Sequence, residues 1–261
     1  MDLGITGRVA LVLGAGGGLG GAIATALAAE GATVVVADRS REQAQATCDH
    51  IDATGGTTHL YTWDLADIEA GIETVDRIIA EVGPVDILVN MTGGPPPSPV
   101  AGQDPATWRQ NFEMMILSIV TLTDRVLPGM RQRGWGRIIT STTSGVIAPI
   151  PDLGLSNALR TSLLGWSKTL AAEVARDGVT SNVVLPGRIA TDRIGFLDQK
   201  KAERLGVPVD DVVAESLRAI PAGRYGRPEE YGATVAFLAG EQASYITGSV
   251  VRVDGGYVPS I

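Results

Sequence analysis

Ser156 and Arg160 stand four residues apart in the stretch LSNALRTSLLGWSKTLA, residues 155–171, whose pattern predicts a helix. Residues at i and i+4 share a helix face, so this hydroxyl and this guanidinium can meet one ligand. The arginine keeps its proton at any relevant pH, so it is neither acid nor base. Its planar fork suits a carboxylate, an enolate or a ribose diol. A serine with no base beside it carries protons poorly, and the two histidines, His50 and His59, are badly placed to help. Arg188 and Arg193 follow a later strand end. Two readings stand level: with Arg160 they form a cationic pocket for a substrate carboxylate or phosphate, or Arg193 is solvated and Arg188 pairs with a local acid.

A second constellation is the glycine-rich run LGAGGGLGGAIATALAAEGA, which opens directly after an apolar stretch. Glycines between a strand and a helix let the backbone approach a pyrophosphate and aim free helix N–H groups at it. Two spacings fit, Gly16-x-Gly18-x-x-Gly21 and Gly14-x-x-x-Gly18-x-Gly20. Asp38 closes the next apolar run, where an acid bonds the adenosine ribose diol of a dinucleotide. A carboxylate there repels a 2′-phosphate, so NAD is expected over NADP, although Arg39 offers a counter-charge. Asp64 and Leu65 follow a third strand and are placed at the adenine, with helix capping as the other use of Asp64.

These residues need a scaffold that brings strand ends together. Six β-branched runs read as buried strands: residues 8–14, 33–38, 85–90, 136–142, 180–186 and 249–256, with a shorter one at 58–64. Apolar runs without alternation mean that both sheet faces are covered. Helical patterns at 20–30, 68–82 and 228–238 lie between them. The repeated order predicts an α/β fold: a Rossmann-type, doubly wound parallel sheet of about seven strands, helices on both faces, ligand at the carboxyl ends. No linker or repeat divides the chain, so residues 1–261 read as one domain. The charged segment 188–211 follows a strand end and is expected to cover the ligand as a lid, while GGPPPSPVAGQDP, residues 93–105, flanks the same side.

Composition removes other classes. A net charge of -8 argues against nucleic acid or an acidic membrane as partner. The single cysteine, Cys48, allows no internal disulfide or cysteine-cluster metal site, and no metal is expected. The apolar run Val9–Leu13 is too short for a membrane span or signal core, so a cytoplasmic location is expected.

With these features in hand the chain resembles the short-chain dehydrogenase/reductase family, and within it the 3-oxoacyl carrier-protein reductase type. Gly14-x-x-x-Gly18-Leu19-Gly20 matches the family's first turn, and NMTG, Asn90 to Gly93, is similar to its next strand-end motif. PGRIAT, 186–191, resembles the segment whose Ile189 and Thr191 would hold the nicotinamide carboxamide. Residues 226–256 resemble the C-terminal block. The resemblance implies a cytosolic homotetramer or homodimer acting on the hydroxyl or carbonyl group of a small molecule. It also implies a centre of Asn, Ser, Tyr and Lys. Here the matching positions carry Met115, Thr143 (with Ser144 beside it), Ser156 and Arg160, and the five tyrosines all lie far along the chain from 156. Asn111, one turn before Met115, is no obvious substitute. Three uses stay open: hydride transfer by a proton path through Thr143, Ser156, water and Arg160; lyase, hydratase or isomerase chemistry with Arg160 steadying an enolate; and nucleotide sensing without turnover.

Overall fold

The computed structural model describes residues 2–261. Seven strands, β1 Val9–Leu13, β2 Thr33–Asp38, β3 Thr57–Thr62, β4 Ile87–Asn90, β5 Gly136–Ser141, β6 Val179–Pro186 and β7 Val250–Val253, form one parallel sheet. Their order is β3-β2-β1-β4-β5-β6-β7. The helices are α1 Gly18–Ala29, α2 Arg41–Ala53, α3 Ile68–Glu81, α4 Pro105–Phe112, α5 Ser118–Arg133, α6 Gly154–Val174, α7 Asp192–Leu205, α8 Val209–Ala219 and α9 Pro228–Ala239. This is the doubly wound sheet expected from the sequence. Most strand bounds move by a residue or two, and two strands end short of the acid expected at their carboxyl end. β3 stops before Asp64, and β7 stops before Asp254, where Gly255 and Gly256 take positive φ and turn the chain.

The absence of alternation has a direct cause in packing. Successive side chains of a strand point to opposite faces. Ala10, Val12, Val34 and Val36 pack under α1, α2 and α9, whereas Leu11, Leu13 and Val35 pack under α3, α5 and α6. Both sets are buried, so every position of these strands must be apolar. β1 pairs with β2 on one side and β4 on the other, so the winding direction reverses between β1 and β4. In a doubly wound sheet this switch point is where a ligand crevice opens at the carboxyl edge.

Two features near this edge were not legible in the residue pattern. A π-helical turn, Glu113–Leu117, interrupts the rod made by α4 and α5. It delivers Met115 and Ile116 into a small core with Ile119, Leu159 and Leu163 of α5 and α6. The second feature is Asp152, the one non-glycine residue at positive φ (62°) among the described residues. Its carbonyl accepts from Ser98 N at 2.6 Å, which docks the proline-rich loop on the approach to α6.

Candidate active site

The glycine turn joins β1 to α1. Gly18 sits at φ 54°, a left-handed conformation that favours glycine, and a Cβ on Gly20 would stand 2.1 Å from Gly14 O. The helix therefore starts hard against the strand end, with its first N–H groups uncommitted to the helix. A cleft of about 630 Å³ beside the turn is lined by Gly16, Gly17, Gly18, Gln43, Thr47 and Thr191. Asp38 reaches back to this turn: its carboxylate accepts from Gly16 N at 3.0 Å and from Ser40 N at 2.9 Å. One acid thus sets the turn and still presents lone pairs towards the position of a ribose. The residues present fit a dinucleotide.

Other expected cofactor contacts divide. Thr191 caps α7, accepting from Ile194 N at 3.4 Å, and its methyl lies 3.7 Å from where a Gly18 Cβ would be. Ile189 is buried and bridges to Gly226. Thr191 therefore lies beside the turn, whereas Ile189 lines a separate pocket with Gly226 and Asp254. Asn90 is fully buried, and its Nδ2 donates to Thr123 Oγ1 at 3.1 Å, so the side chain serves the contact of sheet and α5. Leu65 packs on the core under α3. Asp64 does not cap α3: Asp67 does, accepting from Ala70 N at 3.0 Å, while Asp64 accepts from Ala66 N two residues on. An aspartate three residues nearer the helix takes the capping geometry first.

At the other side of the crevice, α6 carries Ser156 and Arg160, both buried. Asn157 holds the start of this helix against the segment after β5, donating to Ile150 O at 2.8 Å and accepting from Ile150 N at 3.3 Å. Within that segment Thr143 Oγ1 accepts from Gly145 N and caps a short turn that contains the buried Ser144. Sequence reasoning missed Asn157, which is the residue that brings the two hydroxyl-bearing segments together.

Arg160 does not lie loose in the cleft. Its Nη2 donates to Thr92 O at 2.9 Å and to Gly93 O at 2.8 Å, in the loop leaving β4. Burial pushes its pKa down to about 10, and the nearby Arg193 pushes in the same direction. Arg193 donates to Pro95 O at 3.2 Å in the same loop. Neither arginine has a carboxylate partner among the described residues. Arg188 is different: it is ion-paired with the buried Asp198, which also accepts from Tyr225 OH at 2.8 Å. Of the two readings for Arg188, pairing with a local acid is the one the structure shows, which leaves Arg160 and Arg193 as the arginines without an acidic partner.

Met115 is fully buried in the apolar contact between α5 and α6, and Asn111 turns back to Thr107 O at 2.8 Å in its own helix. Neither offers a polar group to the crevice. The tyrosines are less remote than their positions in the chain imply. Tyr231 of α9 lies under the ends of β5 and β6, with its hydroxyl 2.8 Å from Ser141 Oγ and donating to Val184 O, and it feels the Arg160 charge. Burial pushes its pKa well above the usual phenol value, so it stays a neutral hydrogen-bonding group.

Residues 14–258 match the family model described as enoyl-(acyl carrier protein) reductase, a short-chain dehydrogenase model. The chain is 39% identical over 252 residues to the 3-oxoacyl-[acyl-carrier-protein] reductase FabG of Escherichia coli (strain K12), covering 96% of this chain and 97% of that one. The chain belongs to the short-chain dehydrogenase/reductase family. It is accordingly a dehydrogenase/reductase-type enzyme linked to NAD or NADP. Solved relatives superpose over nearly the whole length. L-sorbose reductase from Gluconobacter frateurii, complexed with NADPH and L-sorbose, has a TM-score of 0.94 at 29% identity and full coverage of both chains. YwfH, an NADPH dependent reductase involved in bacilysin biosynthesis, has a TM-score of 0.93 at 27% identity, covering 98% of this chain and all of that one.

Proposed function

We propose that this dehydrogenase/reductase acts on the hydroxyl or carbonyl group of a small anionic substrate through a rebuilt centre, in which Thr143, Ser156 and Arg160 take the places of the family's serine, tyrosine and lysine. The observation that carries this reading is the buried Arg160 guanidinium, uncompensated by any carboxylate and bonded to the loop after β4. A buried cation without a partner is costly, and an anionic ligand relieves that cost. Arg193, equally unpaired, extends the positive potential along the same loop.

The bound dinucleotide would supply or accept hydride. Gly14, Gly18, Leu19 and Gly20 would hold its pyrophosphate, Asp38 its adenosine end, and Ile189 and Thr191 its nicotinamide end. Ser156 and Thr143 orient the reacting oxygen, and water exchanges the proton that neither hydroxyl can carry well. Loss of a tuned general acid or base costs about 100- to 10,000-fold in rate. Orientation alone still contributes about 7–11 kcal/mol, so slow turnover is expected. The NADPH named for both solved relatives favours NADP(H) over the NAD expected from Asp38. Arg39, exposed next to Asp38, is the cation available to a 2′-phosphate.

Two further readings accompany this one. Helix α7 serves as a lid, since Arg193 ties it to Pro95 O and Arg204 pairs with Asp152. A homodimer or homotetramer forms through the edge strand β7 and the exposed Phe112 and Leu117 beside the π-turn.

The deciding experiment incubates the protein with NADP or NAD and a panel of hydroxy acids, sugars and acyl thioesters. Absorbance change at the nicotinamide band is the expected result. Substrate loss with unchanged cofactor would instead assign lyase, hydratase or isomerase chemistry, and binding without turnover would assign a sensor. The variant Ser156→Tyr, which restores a phenol and keeps Arg160, should raise hydride transfer at least tenfold, a modest part of the ~100- to 10,000-fold span of a restored proton carrier. No gain would show that the crevice serves other chemistry.

A further inference from the structure

We infer that the backbone N–H groups of Gly93 and Gly94 form a two-donor site for an anionic oxygen of the substrate, and that Arg160 is the residue that positions them. This deepens the reading above and rests on it for the identity of the ligand. The chain has no cis peptide bonds, so each N–H points opposite the C=O of its own peptide group. The carbonyls of Thr92 and Gly93 both accept from Arg160 Nη2. The N–H groups of those same two peptides belong to Gly93 and Gly94. They are therefore held side by side, facing away from the guanidinium. Neither donates to a protein acceptor among the described residues, and both glycines are exposed. A Cβ on Gly93 would have nothing within 4 Å, so the space beside that residue is open.

The flanking sequence isolates this pair. Pro95, Pro96 and Pro97 have no N–H to offer and stiffen the loop that follows. Arg193 fixes the Pro95 carbonyl, two residues beyond that of Gly93. A cation bonded to the carbonyl end of a peptide also polarises its N–H, strengthening the donor. Two such donors backed by an unpaired positive charge stabilise negative charge on oxygen where it develops. In the reduction direction, hydride adds to the carbonyl carbon and the C=O electron pair moves onto oxygen. That oxygen accepts from Gly93 and Gly94 until it takes a proton from water. The arrangement would thus compensate in part for the missing phenol.

The test uses the whole protein, isotopically labelled and free of dinucleotide, titrated with acetate as the oxygen-anion probe. The Gly93 and Gly94 amide protons should move downfield and saturate. Arg160→Gln, and Arg160→Lys as the variant that keeps charge but not the double donation to Thr92 O and Gly93 O, should abolish that movement while other amides stay in place. Shifts that persist in both variants, or acetate that moves only amides elsewhere, would overturn the inference. These readouts do not depend on turnover, so a protein that binds acetate here but never oxidises or reduces anything would sink the redox reading alone. With an active substrate, Arg160→Lys should lower kcat about 100-fold or more for neutral and acidic substrates alike, the scale of a lost oxyanion donor. An effect confined to the KM of acidic substrates would place a resident carboxylate, and not the reacting oxygen, on these donors.

Discussion

A guanidinium and a phenol–amine couple differ in what they can do with a proton, and under the proposed centre that difference governs the chemistry open to this chain. Arg160 holds a loop and a charge in place; it does not titrate near neutrality even when burial lowers its pKa to about 10. That Ser156 and Arg160 share one helix was readable from residue spacing, because a helix puts i and i+4 together whatever the fold. The partner of Arg188 was not, because Asp198 is reached only after the chain bends into α7. That pairing makes stability the property Arg188 controls. Arg188→Ala strands a carboxylate that is only 3% exposed in its side chain. Breaking a buried pair from one side costs about 3–5 kcal/mol, and partial exposure of Arg188 places the loss near 3. Denaturant unfolding should show it; a change in KM with unchanged stability would contradict the assignment.

At the scale of elements, the strands and their two-sided burial were legible because parallel strands buried on both faces leave an unbroken apolar signature. Helix ends were less so, since capping depends on which of several nearby acids takes the right dihedral angles, as Asp64 and Asp67 demonstrate. The π-turn had no signature at all. Helix α9 supplies a prediction with a defined sign. Glu230 pairs with Arg224 and accepts from Arg227 N at 2.7 Å, which lower its pKa to about 2. A carboxylate lowered on folding stabilises fully above its ordinary pKa, near 4.5, and loses that contribution as pH falls through about 2. The stability gap between wild type and Glu230→Gln should hold steady from neutrality to about pH 5 and close towards pH 2. A gap that widens on acidification would refute the sign. For α7, Arg204→Ala removes an exposed pair with Asp152, and amide hydrogen exchange across 192–205 should rise about two- to fivefold, as an exposed ion pair permits. Unchanged exchange would mean that the pair does not fasten the helix.

At the scale of the molecule, the crevice between β1 and β4 follows from topology, and topology followed from the alternation of strands and helices. The phosphorylation state of the dinucleotide did not follow, because Asp38 and Arg39 pull in opposite directions and Asp38 has a structural duty to Gly16 that its position alone could not disclose. If NADP(H) is the cofactor, Arg39→Ala should weaken NADPH binding about tenfold, equivalent to about 1.4 kcal/mol, and leave NADH unaffected. Equal losses for both would return the preference to NAD. The plug of Met115, Ile119, Leu159 and Leu163 has a consequence for the whole enzyme. It seals the seam between two helices with hydrocarbon, so hydrons have no inner corridor along it, and under the proposed chemistry they would arrive by the mouth that admits the substrate. An occupant filling that mouth would isolate the reacting oxygen from bulk solvent, and label from heavy water would then enter product only as fast as the occupant leaves.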